Sequence, residues 1–138
     1  MTKKLSNQKI YFDIWNALHA LKMQEVPAKI QYNCLRTIKA WVSTHESIHE
    51  ARTTILKKHA SLDEDGNPNT INNAVQFPSQ TAEEACIKEL NPFMEMESEV
   101  EVWPVPIEEL TSSGVKISGL ILDPLIDIFF TPSTNPNL

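Results

Sequence analysis

The residues with the clearest potential for chemistry form the segment His45-Glu46-Ser47-Ile48-His49, which matches the pattern HExxH. On a helix, side chains four residues apart lie on one face, so His45 and His49 could reach one Zn²⁺ ion. Glu46 could then act as the general base toward a metal-bound water, as in zinc hydrolases. The site would need a third ligand, and the sequence singles out none among Glu64, Glu83 and Glu84.

The same segment also fits an ordinary helix surface on which His45 and Ile48 face inward and Glu46 faces water. Zinc peptidases favour uncharged residues around the motif, whereas Glu50 directly follows His49. No downstream extension with a glycine and a third histidine follows either. The sequence therefore favours a protein without a cofactor, and a small zinc-dependent hydrolase with Glu46 as its catalytic residue is an alternative.

Two helices are expected to position this segment. A first helix is predicted from a Ser6 cap to about Met23, because its apolar residues recur with helical spacing. A second helix is predicted from about Pro27 to His59, where proline suits the first helical position. The short connection between them predicts an antiparallel helical hairpin.

The second helix is much longer than the first, which covers only about half of it. An apolar stripe from Trp41 onward, with His45, Ile48 and Ile55, therefore needs a further covering partner. The sequence leaves two candidates, the C-terminal region of the same chain and a second copy of the chain. On the second alternative, Trp41, His45, Ile48 and Ile55 are predicted partner-binding residues.

The remaining sequence predicts short elements of both kinds, so the expected fold class is α+β. Turn-forming residues occupy Asp63–Asn69, and Glu99–Trp103 alternates polar and apolar residues as half-buried strands do. Ser118 is a predicted cap of a last apolar helix, interrupted at Pro124. The predicted organisation is a hairpin at 1–62, a linker or turn at 63–80, a small α/β region packed on the hairpin at 81–130, and a tail at 131–138.

Composition excludes several function classes. The 138 residues, 41% of them hydrophobic and 22% charged, fit one ordinary domain. Only three glycines are present and none are clustered, which excludes a phosphate-binding P-loop. No apolar run approaches the roughly 18 residues that span a bilayer, and no signal peptide is recognisable, so no membrane association is expected.

Charge is distributed unevenly along the chain. Residues 1–58 hold ten basic and four acidic residues, a net charge of +6, and residues 59–138 hold two basic and fourteen acidic residues, a net charge of −12. This asymmetry is compatible with head-to-tail self-association, with an acidic face that meets a basic protein, or with two halves that simply solvate their own surfaces. Glu99, Glu101 and Trp103 are the predicted partner-binding residues of the acidic face. The basic half lacks the clustered cations and aromatic residues of a nucleic-acid groove. An acidic inhibitor that mimics nucleic acid is a further alternative.

The order of these features resembles a group of small, uncharacterised tailed-phage proteins. The matching stretches are Glu50–Lys58, Asp63–Asn67, Glu97–Val102 and Ile117–Ile126, within a likeness that covers residues 6–130. The resemblance implies a viral accessory or assembly protein and carries over no active-site residue. The expected function is accordingly non-enzymatic protein–protein interaction, as a host-directed modulator or an assembly or virion component. The expected location is the host cytoplasm or the virion.

Overall fold

One long helix is the main element of the chain, whose computed structural model describes residues 1–132. The helices are α1 Trp15–Lys22, α2 Ala28–His59, α3 Gln80–Glu95, α4 Glu108–Thr111 and α5 Gly119–Leu122. The strands are β1 Thr2–Ser6, β2 Thr70–Ile71, β3 Ala74–Val75, β4 Glu97–Glu101, β5 Val105–Pro106 and β6 Phe130–Thr131. The predicted α+β class, with one long helix and small C-terminal strands and helices, is confirmed.

The N-terminal helices form the predicted antiparallel hairpin. A π-helical stretch, Lys9–Ile14, leads directly into α1. The amide nitrogen of Gln31 donates to the Lys22 carbonyl at 3.0 Å, and the Cys34 thiol donates to the Leu18 carbonyl at 3.2 Å. Gln31 precedes Cys34 on α2, whereas their partners lie in the reverse order on the first helix. The two helices therefore run in opposite directions. Burial raises the pKa of the Cys34 thiol to about 12.

The chain divides into two compact units. The first unit contains Met1–His45 together with the segment from Glu97 onward, and the second contains Glu46–Met96. Helix α2 contributes residues to both units.

In the first unit, β1 pairs antiparallel with β4, with Lys3 opposite Val100. The sequence predicts no element before the Ser6 cap, so β1 is an addition to the predicted fold. Its formation depends on a partner strand more than ninety residues away, which local pattern does not reveal. The predicted helix start is partly retained, because Ser6 Oγ accepts a hydrogen bond from the backbone N–H of Lys9.

The C-terminal segment of the first unit supplies much of its core. Phe129, Phe130 and Leu125 are fully buried, and β5 pairs in parallel with β6. Ser118 Oγ accepts from the Leu120 N–H, which confirms the predicted cap of α5. The predicted tail at 131–138 begins inside β6, and residues 133–138 lie outside the described part of the chain.

The second unit has its own small core. Ile55 and Leu56 of α2 pack with Cys86 of α3, and four partly buried side chains surround them: Val75, Phe77, Leu90 and Phe93. Glu89 of α3 contacts two side chains of α2, Lys58 Nζ at 2.6 Å and His59 Nε2 at 2.9 Å. Hydrogen bonds from His59 and then from Lys58 lower the pKa of Glu89.

Local residue chemistry explains the turns of the second unit. Asn72 and Asn73 adopt the left-handed conformation between β2 and β3, with φ of 52° and 65°, as a two-residue hairpin turn requires. Asp63 Oδ1 accepts from the backbone N–H groups of Asp65 and Asn67, which closes the predicted turn. Within residues 1–132, no helix combines the length and the apolar character needed to cross a membrane.

Candidate binding surface

Three side chains of α2 hold the segment that follows β4 against the helix. Asn33 donates to the Pro104 carbonyl at 3.4 Å, Thr37 Oγ1 accepts from the Trp103 N–H at 3.2 Å, and Trp41 Nε1 donates to the Glu101 carbonyl at 2.7 Å. These side chains are four residues apart and therefore lie on one face of the helix. They give hydrogen-bond partners to the backbone of residues 101–104, which form the end of β4 and the connection to β5.

This arrangement places the indole of Trp103 beside the neighbouring turn of α2. The Arg36 guanidinium carbon lies 4.5 Å from the centroid of the Trp103 ring and 5.3 Å from that of Tyr32. Both distances are within the range of a cation–π interaction. We call Tyr32, Arg36 and Trp103 the Arg36 stack.

The Arg36 stack is open to solvent and has an apolar margin. Tyr32 is 60% exposed, Arg36 is exposed and Trp103 is half-buried. Leu35 and Val42, on neighbouring turns of the same helix, are 37% and 41% exposed. Tyrosine, tryptophan and arginine are the residue types most enriched where protein interfaces gain their binding energy.

The helix segment that carries Tyr32 and Arg36 is cationic. The segment 28–45 contains Lys29, Arg36 and Lys39 and no acidic residue. Lys29 pairs with Glu109 at 3.3 Å. Neither Arg36 nor Lys39 forms an ion pair with any residue of the described chain, 1–132. The guanidinium therefore has hydrogen-bond donors available for a ligand.

The HExxH segment lies on α2 as predicted, but its first histidine packs in the hairpin. The His45 ring stacks on Trp15 at a centroid distance of 4.1 Å and on Tyr11 at 4.7 Å, with interplanar angles of 16° and 8°. Glu46 and His49 are exposed. His45 thus makes the ring contacts of a packed aromatic residue.

A third metal ligand is not brought to this segment. No group of three His, Cys, Asp or Glu side chains among residues 1–132 is arranged to hold a metal ion. His49 instead lines a shallow, open depression with Glu50, Thr53, Thr54 and Lys57. Neither Glu64 nor Glu83 nor Glu84, the third ligands considered from the sequence, completes a ligand set.

Most of the apolar stripe predicted to bind a partner is covered by the chain itself. Trp41 is fully buried, and Ile48 and Ile55 are 4% and 8% exposed. Trp41 is held by the backbone of β4, and Ile55 by the core of the second unit. These three residues were predicted to bind a partner on the alternative of a second copy, and in the structure the same polypeptide buries all three.

The predicted acidic residues lie on the exposed face of β4. Glu99 and Glu101 alternate with the buried Val100 and Val102. Glu101 hydrogen-bonds the hydroxyl of Thr2, which lowers the pKa of its carboxyl group, and also pairs with the N-terminal amine at 3.4 Å. Glu101 is thus engaged within the chain, while Glu99 faces solvent.

Sequence reasoning named Trp103 but missed Tyr32 and Arg36. The spacing of four residues between Tyr32 and Arg36 on a helix was an available signal. Their proximity to Trp103, nearly seventy residues along the chain, was not.

No protein-family model, curated protein sequence or solved structure matches the chain. What the surface binds must therefore be inferred from the chemistry of its own side chains.

Proposed function

We propose that this chain is a bacteriophage accessory protein that acts without catalysis, by binding another protein through the surface around the Arg36 stack. The observation that carries the proposal is the stacking of an exposed, unpaired guanidinium on the rings of Tyr32 and Trp103. The host cytoplasm and the virion are the proposed locations, for a host-directed modulator or an assembly component respectively. The phage origin rests on the sequence resemblance described above.

Two physical features support a binding role for this surface. The rings restrict the rotamers of Arg36 before a partner arrives, so less conformational entropy is lost on binding. The backbone of Trp103 is fixed by Thr37 and that of Pro104 by Asn33, which makes the platform under the guanidinium rigid. The exposed Tyr32, with Leu35 and Val42, provides the apolar area that a protein interface desolvates at its centre.

Site-specific photo-crosslinking tests the proposal. The photo-reactive residue p-benzoylphenylalanine would replace Tyr32 in one variant and Ile71 in a control variant. The two positions are matched in exposure, at 60% and 58%, and Ile71 lies on β2 in the second unit. In infected bacteria, we expect a discrete protein adduct from position 32 and none from position 71. The absence of any adduct at position 32, or the same adducts at both positions, would contradict the proposal.

A further inference from the structure

Beyond a general binding role, and resting on it, we infer that the Arg36 stack recognises a carboxylate side chain on an acidic segment of the partner protein. Stacking uses the flat face of a guanidinium, whereas its N–H donors lie in the plane of the group. The Arg36 guanidinium carbon lies over both rings, and its N–H groups form no hydrogen bond or ion pair with any residue of the described part of the chain, 1–132, so these donors are available to a ligand. Two parallel N–H donors match the two oxygens of a carboxylate.

The local charge selects an anionic ligand. Arg36 and Lys39 are three residues apart on α2, which places their side chains on adjacent turns of one face. Lys29 is ion-paired with Glu109, whereas Arg36 and Lys39 have no acidic partner within residues 1–132. A segment carrying one or two carboxylates complements this arrangement.

The apolar neighbours define the rest of the ligand. Leu35 and Val42 flank the two cations and are each more than a third exposed. A ligand segment with apolar residues beside its acidic residue would bury Leu35 and Val42 while its carboxylate binds Arg36. A polyanion of the nucleic-acid type fits less well, because nucleic-acid binding depends on many phosphate contacts and this chain carries a net charge of −6.

A displayed library of random nine-residue peptides, selected against the immobilised full-length chain, is a direct probe of this inference. We expect the selected peptides to be enriched in Asp and Glu beside apolar residues. One selected peptide would then be synthesised together with a twin in which Gln or Asn replaces each acidic residue. Because hydrogen bonds to a charged group are lost, the twin should bind at least about tenfold more weakly.

Two charge-removing variants separate the Arg36 contact from a general charge effect. Arg36→Met should reduce binding of the acidic peptide at least about tenfold. Lys88→Met removes the same charge from an exposed position on α3 and should leave the affinity unchanged. Arg36→Lys keeps the charge but lacks the planar donors, and should bind nearly as weakly as Arg36→Met. Circular dichroism of each variant verifies that the fold is retained.

Four results would overturn the inference. The first is a set of selected peptides that is not enriched in Asp and Glu. The second is a Gln- or Asn-substituted twin that binds as tightly as the acidic peptide. The third is a 20-nucleotide single strand that displaces the peptide, which would assign the surface to nucleic acid. The fourth is a concentration-dependent dimer in light scattering that Arg36→Met abolishes, which would assign it to a second copy. If position 32 gives crosslinks but the selected peptides are not enriched in acidic residues, the carboxylate contact is refuted and the general binding role is retained.

Discussion

Replacing Trp41 by phenylalanine tests whether the chain covers its own long helix. Trp41 is fully buried, and its indole N–H donates to the Glu101 carbonyl at 2.7 Å. Phenylalanine retains most of the apolar contact but cannot donate, so the part-buried Glu101 carbonyl would lose this partner. Such a loss costs about 1–3 kcal/mol. With a urea dependence of roughly 1–3 kcal/mol per molar, the unfolding midpoint should fall by about 1 M.

The assay follows alkylation of Cys34, which is buried in the same unit, across a urea gradient with detection by mass spectrometry. Trp103→Phe is the matched control, because Trp103 is half-buried and its indole N–H bonds no residue of the described chain. That variant should change the free energy of unfolding by no more than about 0.5 kcal/mol. An unchanged midpoint for Trp41→Phe would show that the helix stripe is not covered as described.

Four further outcomes are expected. Thr37→Val should destabilise the first unit by about 1–2 kcal/mol in urea unfolding, because the Trp103 N–H loses its acceptor; a neutral effect would contradict the role of Thr37. Glu89→Gln should remove part of the acid sensitivity of unfolding followed by circular dichroism. Because the folded-state pKa of Glu89 is lowered, its stabilisation is present above the unfolded-state pKa and is lost as pH falls through the folded-state value; an identical pH profile for both proteins would refute this. Cys34 and Cys86 should resist iodoacetamide in the native protein and react in urea, since both are buried and burial raises both thiol pKa values; rapid native labelling would argue against the packing. Zinc content in purified protein should stay well below one ion per chain, and stoichiometric zinc that is lost in His49→Ala would instead support the hydrolase alternative.

Periodicity was sufficient to predict the helical hairpin. Apolar residues with 3.6-residue spacing, such as Ile10, Ile14 and Leu21, are all buried. Strong local signals also placed the Asp63–Asn67 turn and the Ser118 cap. Each of these features is determined by residues within a few positions of one another.

Features that depend on distant pairing could not be predicted in this way. β1 forms because it meets β4, and neither its length nor its burial pattern is distinctive. The apolar stripe on α2 correctly indicated that something must cover the helix. It could not reveal that β4 supplies the partner of Trp41 and that the second unit encloses Ile55.

The candidate site likewise combines features that nearby residues determine with features that depend on distant contacts. The HExxH spacing correctly placed His45 and His49 on one helix, but the contacts of His45 with Tyr11 and Trp15 arise from tertiary packing. The Arg36 stack joins two turns of α2 to Trp103, and only the folded chain brings them together.

The most direct test of the account is a two-dimensional NMR experiment on the tryptophan indole N–H groups. The Trp41 N–H, bonded to the Glu101 carbonyl, should be protected from exchange with D₂O, whereas the Trp103 N–H should exchange rapidly. On addition of a selected acidic peptide, the Trp103 signal should shift and the Trp41 signal should not. Rapid exchange at Trp41 would contradict the burial of Trp41 by the chain itself. A peptide-induced shift at Trp41 with none at Trp103 would contradict the proposed binding surface.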